Sequence, residues 1–205
     1  MPRRTTRRSA FAHTTARSII LVRHGRSALR APRQVASDAL RSTARRYEEA
    51  GIRRTPRPSR ELRQHARSAA LIVCSDTRRA IESARLLDGG REPVLDPVFR
   101  EAGLPLRVPV PLRLSFDTWI LISYVAWFLG WPAGGESLAA ARQRATKAVR
   151  HLTQLSNQHP SVMLVGHGVF NTLIALQLRR NGWSSPVWRP GAAHWTFACY
   201  SKRLV

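Results

Sequence analysis

The sequence predicts an α/β fold, with helices packed around a mostly parallel central sheet. Two observations carry that prediction. First, three short, almost uninterrupted apolar runs occur at Ile19 to Val22, Ala69 to Val73 and Val162 to Val165. Runs of four or five such residues suit strands buried on both faces, as in a parallel sheet. Second, segments with apolar residues at helical spacing separate these runs, and alternation of strand and helix implies layers around one sheet.

The elements follow in order. Residues 1–17, MPRRTTRRSAFAHTTAR, are basic and polar and read as a flexible arm. They lack the apolar stretch of a secretory signal, so a cytoplasmic protein is expected. After the first strand, residues 26–68 are rich in Arg and should hold one or two surface helices, with a proline-marked loop from Arg53 to Pro58. Beyond the second strand, Thr77 to Leu87 aligns Ala80, Ile81, Ala84 and Leu87 on one helical side. Pro105, Pro109 and Pro111 then break regular structure. Trp119 to Trp131, WILISYVAWFLGW, is too short to span a bilayer. It reads as a core helix or a lid, with membrane-surface contact or a dimer face as rivals. Ser137 to Leu155 is a long amphipathic helix, and Val169 to Arg180 another, stopped by Asn181-Gly182. His194 to Tyr200 alternates like a strand, which places His194 as structural or at a pocket edge.

At 205 residues the chain is one domain long, and its apolar share of 43% is that of a globular protein. Its two cysteines make neither a metal motif nor a disulfide framework. The formal charge is +22, from 34 basic residues against 12 acidic. Residues 1–67 alone hold eighteen Arg against four acids. Such a field attracts phosphorylated metabolites, nucleic acid or anionic lipid. No basic stripe is interleaved with aromatics, so nucleic acid is the less favoured partner. The residues fix no oligomeric state.

The ends of the three runs are more specific. They read Arg23-His24-Gly25, then Cys74-Ser75-Asp76-Thr77-Arg78-Arg79, then Gly166-His167-Gly168. Ligands of open parallel sheets bind beyond the carboxyl ends of the strands. Two histidines and at least one arginine could therefore converge there on an anion. A neutral imidazole can attack phosphorus and split one hydrolysis into two easier steps. Arginine forks pair with phosphoryl oxygens and keep their charge. A leaving alkoxide needs a proton, and carboxylates are scarce. No Gly-x-Ser-x-Gly elbow is present, and neither His-x-x-x-His nor Cys-x-x-Cys occurs. Two arginines aimed at one pocket would repel a cation, so neither a metal nor another cofactor is expected.

The landmarks LVRHGRS, SDTRRAIESARLL, FREAGLP, GGES and VMLVGHGVF, in that order, resemble the histidine phosphatase superfamily, also called phosphoglycerate mutase-like. The resemblance runs from about Ile19 to Tyr200. It implies a three-layer sandwich, with residues 18–205 as the phosphatase domain and residues 103–135 as a cap insertion. It also implies a phosphatase that hydrolyses monoesters of phosphorylated small molecules without metal. His24 would be the nucleophile, Arg23 and Arg79 the phosphate ligands, His167 the second pocket histidine and Glu101 the proton donor. Glu92 and Glu136 are the other acids near that place. Ser27 would either donate to the phosphate or cap a helix. Arg26, Arg30, Asp76 and Thr77 depart from the family pattern, so the substrate is less constrained than the chemistry. Mutase-type phosphotransfer is one alternative; an Arg-rich nucleic-acid-binding protein with a vestigial site is the other.

Overall fold

The computed structural model describes residues 17–103, 110–131, 135–187, 191 and 193–203. Residues 1–16 of the expected arm lie outside that description, as do 104–109 and 132–134 of the expected cap. Arg17 already belongs to the first strand.

The central sheet has five strands: β1 (Arg17–Arg23), β3 (Leu71–Cys74), β4 (Val94–Leu95), β6 (Ser161–Gly166) and β7 (Phe197–Lys202). Their spatial order is β4-β3-β6-β1-β7. β1, β3, β4 and β6 run parallel, and β7 lies antiparallel along the outer side of β1. The three apolar runs thus occupy three adjacent central strands, β3, β6 and β1. The second starts two residues later than its apolar stretch, because the helix before it, α2 (Arg60–Ser68), places Ala69 at its C-cap.

Alternation along the strands feeds two cores. Ile19, Leu21, Val162 and Leu164 pack on α5 (Leu138–Gln158) and α6 (Gly168–Arg180). Ile20, Val22, Met163 and Val165 pack on α2 and α3 (Arg78–Asp88). The result is helix, sheet, helix, as the three-layer expectation required. Serine hydroxyls start two of these helices: Ser59 accepts from Leu62 N at 3.1 Å, and Ser137 accepts from Ala140 N at 3.1 Å. Left-handed Gly89 ends α3, and Gly182 follows the last turn of α6 at φ 80°.

The Arg-rich stretch forms α1 (Leu40–Glu49) as well as α2. A small two-stranded sheet joins β2 (Val35–Ala36) to β5 (Arg113–Leu114), which no alternation in the sequence announced. Next comes α4 (Phe116–Phe128), the centre of the apolar tryptophan segment. Phe116 and Trp119 bury against Val35, Leu40 and Ala44, and Trp119 Nε1 donates to the Val35 carbonyl at 2.8 Å. Leu121, Val125 and Leu129 face out, 63%, 51% and 82% exposed. The segment is therefore a helix seated by one side. Among the described residues no helix is long and apolar enough to cross a membrane.

Candidate active site

Strand register brings the sequence landmarks together. Arg23 pairs with Gly166 across β1 and β6, so His24 and His167 leave neighbouring strand ends side by side. Cys74 pairs with Val165 on the other side of β6, which sends the Ser75–Thr77 turn and Arg79 to the same edge. The His24 and His167 ring centroids stand 5.0 Å apart. His24, His167 and Arg79 are each at most 3% exposed.

His24 Nδ1 lies 2.7 Å from the carbonyl of Gly25. A carbonyl only accepts, so Nδ1 carries the ring proton and Nε2 keeps its lone pair. Burial, then the neighbouring His167 and Arg79, hold the His24 pKa well below 6.5. Burial, Arg79 and Arg23 push His167 down to about 3. Both rings are neutral at pH 7. His167 Nε2 lies 3.3 Å from the Thr77 hydroxyl.

Close packing fixes this arrangement. A Cβ on Gly25 would sit 2.4 Å from the Trp195 indole, and one on Gly168 would sit 3.2 Å from the Arg23 guanidinium carbon. Close approach, not backbone angle, requires glycine at 25 and makes a side chain at 168 tight against Arg23. Gly25 N donates to Ser83 Oγ at 2.9 Å. Arg79 Nη1 donates to the carbonyls of Tyr47 and Glu48 at the end of α1, and its guanidinium stacks 4.5 Å over the Tyr47 ring. Arg79 thus ties α1 to the pocket.

Glu101 reaches the same edge from the turn after Pro97–Phe99. Its Oε1 accepts from Phe170 N at 2.8 Å and Ala102 N at 3.0 Å, and its Oε2 from Val169 N at 3.3 Å. The carboxylate thereby sits on the N-terminal amides of α6, where negative charge is favoured. The other two acids are engaged elsewhere: Glu92 with Arg85 at the surface, Glu136 with Arg144. Ser27 is buried, and its Oγ accepts from Leu29 N at 3.2 Å. It caps no helix; it closes a turn that bridges to Ile52. Among the described residues no group of three or more His, Cys, Asp or Glu is arranged to hold a metal.

The family model described as "Histidine phosphatase superfamily (branch 1)" matches residues 19–196. The chain belongs to the histidine phosphatase superfamily. Solved structures agree in fold. Mycobacterial hydrolase 2 is 19% identical, with 93% of this chain and 84% of that one covered at a TM-score of 0.58. Mycobacterial hydrolase 1 is 22% identical, with 93% and 97% covered at 0.55. Phosphoserine phosphatase from Entamoeba histolytica, in complex with 3-phosphoglyceric acid, is 18% identical, with 80% of each chain covered at 0.52. A search of curated proteins gives no significant match.

Around the landmarks, this histidine phosphatase has supports that spacing alone did not reveal. Tyr124, on α4, lies near the Glu101 carboxylate, and burial together with the charge of Glu101 pushes its pKa up. Arg144 grips the turn that carries Glu101: Nη1 donates to the carbonyls of Val98 and Arg100 at 2.9 and 2.7 Å, and Nη2 to that of Glu101 at 3.3 Å. Its charge is met by Glu136 of the GGES landmark at 2.6 Å. Asn171 Nδ2 donates to the Val22 carbonyl at 3.0 Å and pins α6 to β1. The one signal for Asn171 was an amide inside an apolar helical run.

Neutral buried histidines contribute to the acid response of the fold, His167 among them. Between about pH 3 and the unfolded value near 6.5, the unfolded chain binds a proton at His167 that the folded chain does not. Stability therefore falls as pH drops through that window, by about 1.4 kcal/mol per pH unit for one such residue. Urea midpoints taken at about pH 7 and about pH 4.5 should lie closer together in His167→Gln than in the wild type; equal separations would refute the assignment.

Proposed function

We propose that this protein hydrolyses phosphate monoesters through a phosphohistidine on His24. The observation that carries the reading is the Gly25 carbonyl 2.7 Å from His24 Nδ1, which leaves Nε2 as the unprotonated nitrogen of a ring 5.0 Å from that of His167. In the first step Nε2 attacks phosphorus and the bond to the ester oxygen breaks. Arg23, Arg79 and the neutral His167 hold the phosphoryl oxygens, with the Ser27 hydroxyl as a further donor. These groups are fixed before substrate arrives, so they cost little rearrangement when charge shifts to the oxygens.

Glu101 gives its proton to the departing oxygen, then takes one from the water that attacks the phosphohistidine. Inorganic phosphate leaves, and the two half-reactions restore the enzyme. Of its amide contacts, the one at Oε2 is the longest. β5 and α4, from the expected cap insertion, act as the cap, and α4 carries Tyr124 close to the acid. The basic residues before β1 and the +22 charge favour anionic substrates such as phosphorylated small molecules.

The test is phosphate release from an aryl phosphate at mildly acidic and neutral pH, in the presence of a chelator. Turnover that survives the chelator, with no acid-side loss near pH 6.5, is expected, since the nucleophile is already neutral there. Turnover abolished by chelation, or none on a panel of natural phosphate esters, would overturn the proposal.

A further inference from the structure

His194 stands just before β7, and nothing in the chemistry above uses it. Its ring centroid lies 5.7 Å from that of His24, only slightly farther than His167. Its Nε2 is buried and has no hydrogen-bond partner. An orphaned buried ring nitrogen is costly unless a partner arrives.

The backbone around it is held in an unusual state. Trp195 has φ 63°, the one described non-glycine residue at positive φ. An aromatic residue adopts that conformation only when its surroundings enforce it. Here Trp195 N donates to the Arg23 carbonyl at 3.2 Å, and Arg23 N donates to the Thr196 carbonyl at 2.9 Å. The indole covers Gly25, and its Nε1 donates to the Pro56 carbonyl at 2.9 Å. The strained residue is thus clamped to the strand end that carries His24, and the clamp fixes the residue before it. Burial, then Arg23, Arg26 and Arg79, push the His194 pKa down to about 4, so the ring is neutral at pH 7. Arg23 and Arg79 are also the groups a phosphate would meet.

We propose that His194 is a third pocket histidine, which hydrogen-bonds the phosphoryl oxygens of the bound ester through Nε2. The proposal rests on the phosphatase reading for its ligand, but its test does not require turnover. A neutral ring adds a donor without adding charge to a pocket that already holds two arginines. The Trp195 strain is what keeps the donor in place before the ligand binds.

The probe is inorganic phosphate, titrated calorimetrically into the full-length protein. His194→Ala should weaken phosphate binding about tenfold to a hundredfold, the loss expected for one hydrogen bond to a charged group. His194→Gln should restore most of it, because its side-chain nitrogen reaches the place of Nε2. His194→Asn, whose amide matches Nδ1 instead, should not. Phosphate affinity in His194→Ala within about twofold of wild type, below the loss of one such bond, would overturn the proposal, as would equal rescue by Asn and Gln. Should the alanine variant lose its cooperative melt, the Gln and Asn pair decides the matter alone. A wild type that binds phosphate but hydrolyses no ester, with binding still lost in His194→Ala, would support His194 as a ligand while the phosphohistidine reading fails.

Discussion

His24→Ala is expected to lower kcat/KM on an aryl phosphate by at least about 10^4-fold, equivalent to about 5.5 kcal/mol of barrier. The pocket that binds phosphate would survive the change. Arg79 keeps its contacts to the Tyr47 and Glu48 carbonyls, and His167 keeps its place after β6. Substrate binding should therefore persist while the covalent step disappears. The second readout is chemical. Wild type quenched in alkali after mixing with radiolabelled ester should carry label that acid removes, as a phosphoramidate does. The variant should carry none. A variant that kept activity within tenfold of wild type, or that retained acid-labile label, would move the nucleophile to another residue.

Glu101→Gln should show an effect that depends on the leaving group. An alkyl oxygen departs poorly without a proton, so alkyl esters should lose about 10^2 to 10^4 in kcat/KM, the usual reach of general acid catalysis. A nitrophenolate leaves readily, and the first step on that ester should fall by less than about tenfold, well below that reach. Activation of water still needs the missing base, so phosphoenzyme should accumulate on the aryl ester. Glutamine keeps one oxygen for the amides of Phe170 and Ala102 and presents its NH2 where Val169 N donates. Structural damage alone would slow both esters alike. Equal losses on the two esters, with no rise in trapped phosphoenzyme, would remove Glu101 from proton transfer.

The fold was readable because parallel strands buried on both faces must be apolar at every position. Ile19 to Val22 and Val162 to Val165 therefore declared themselves, and the motif ends marked where the site would be. Helix α5 was equally plain, since Ala141, Ala145, Ala148 and Leu152 keep one buried side over several turns. The strand order was not readable, because a crossover leaves no mark on local pattern. The inward side of α4 was hidden for a related reason. Apolar side chains surround that helix, so periodicity could not say that Trp119, Ser123 and Trp127 turn in while Leu121 and Val125 turn out. Tyr124 was lost among them. His194 reads in the sequence as a member of an alternating strand, structural or at a pocket edge, whereas the strand starts three residues later, at Phe197. Positive φ at Trp195 has no signature in a tryptophan.

The place of β1 has a consequence for how the chain is made. Its neighbours on both sides, β6 and β7, come from residues 161–202, and every pairing it forms spans more than a hundred positions. On a ribosome the strand that leads into His24 therefore waits, apolar and unpaired, until residues 161–202 have emerged. Such distant pairings slow folding and leave sticky surface open in the interval. The pocket then assembles late and all at once: a nascent chain halted before residue 161 would hold Arg23 and His24 without the strand that brings His167 beside them.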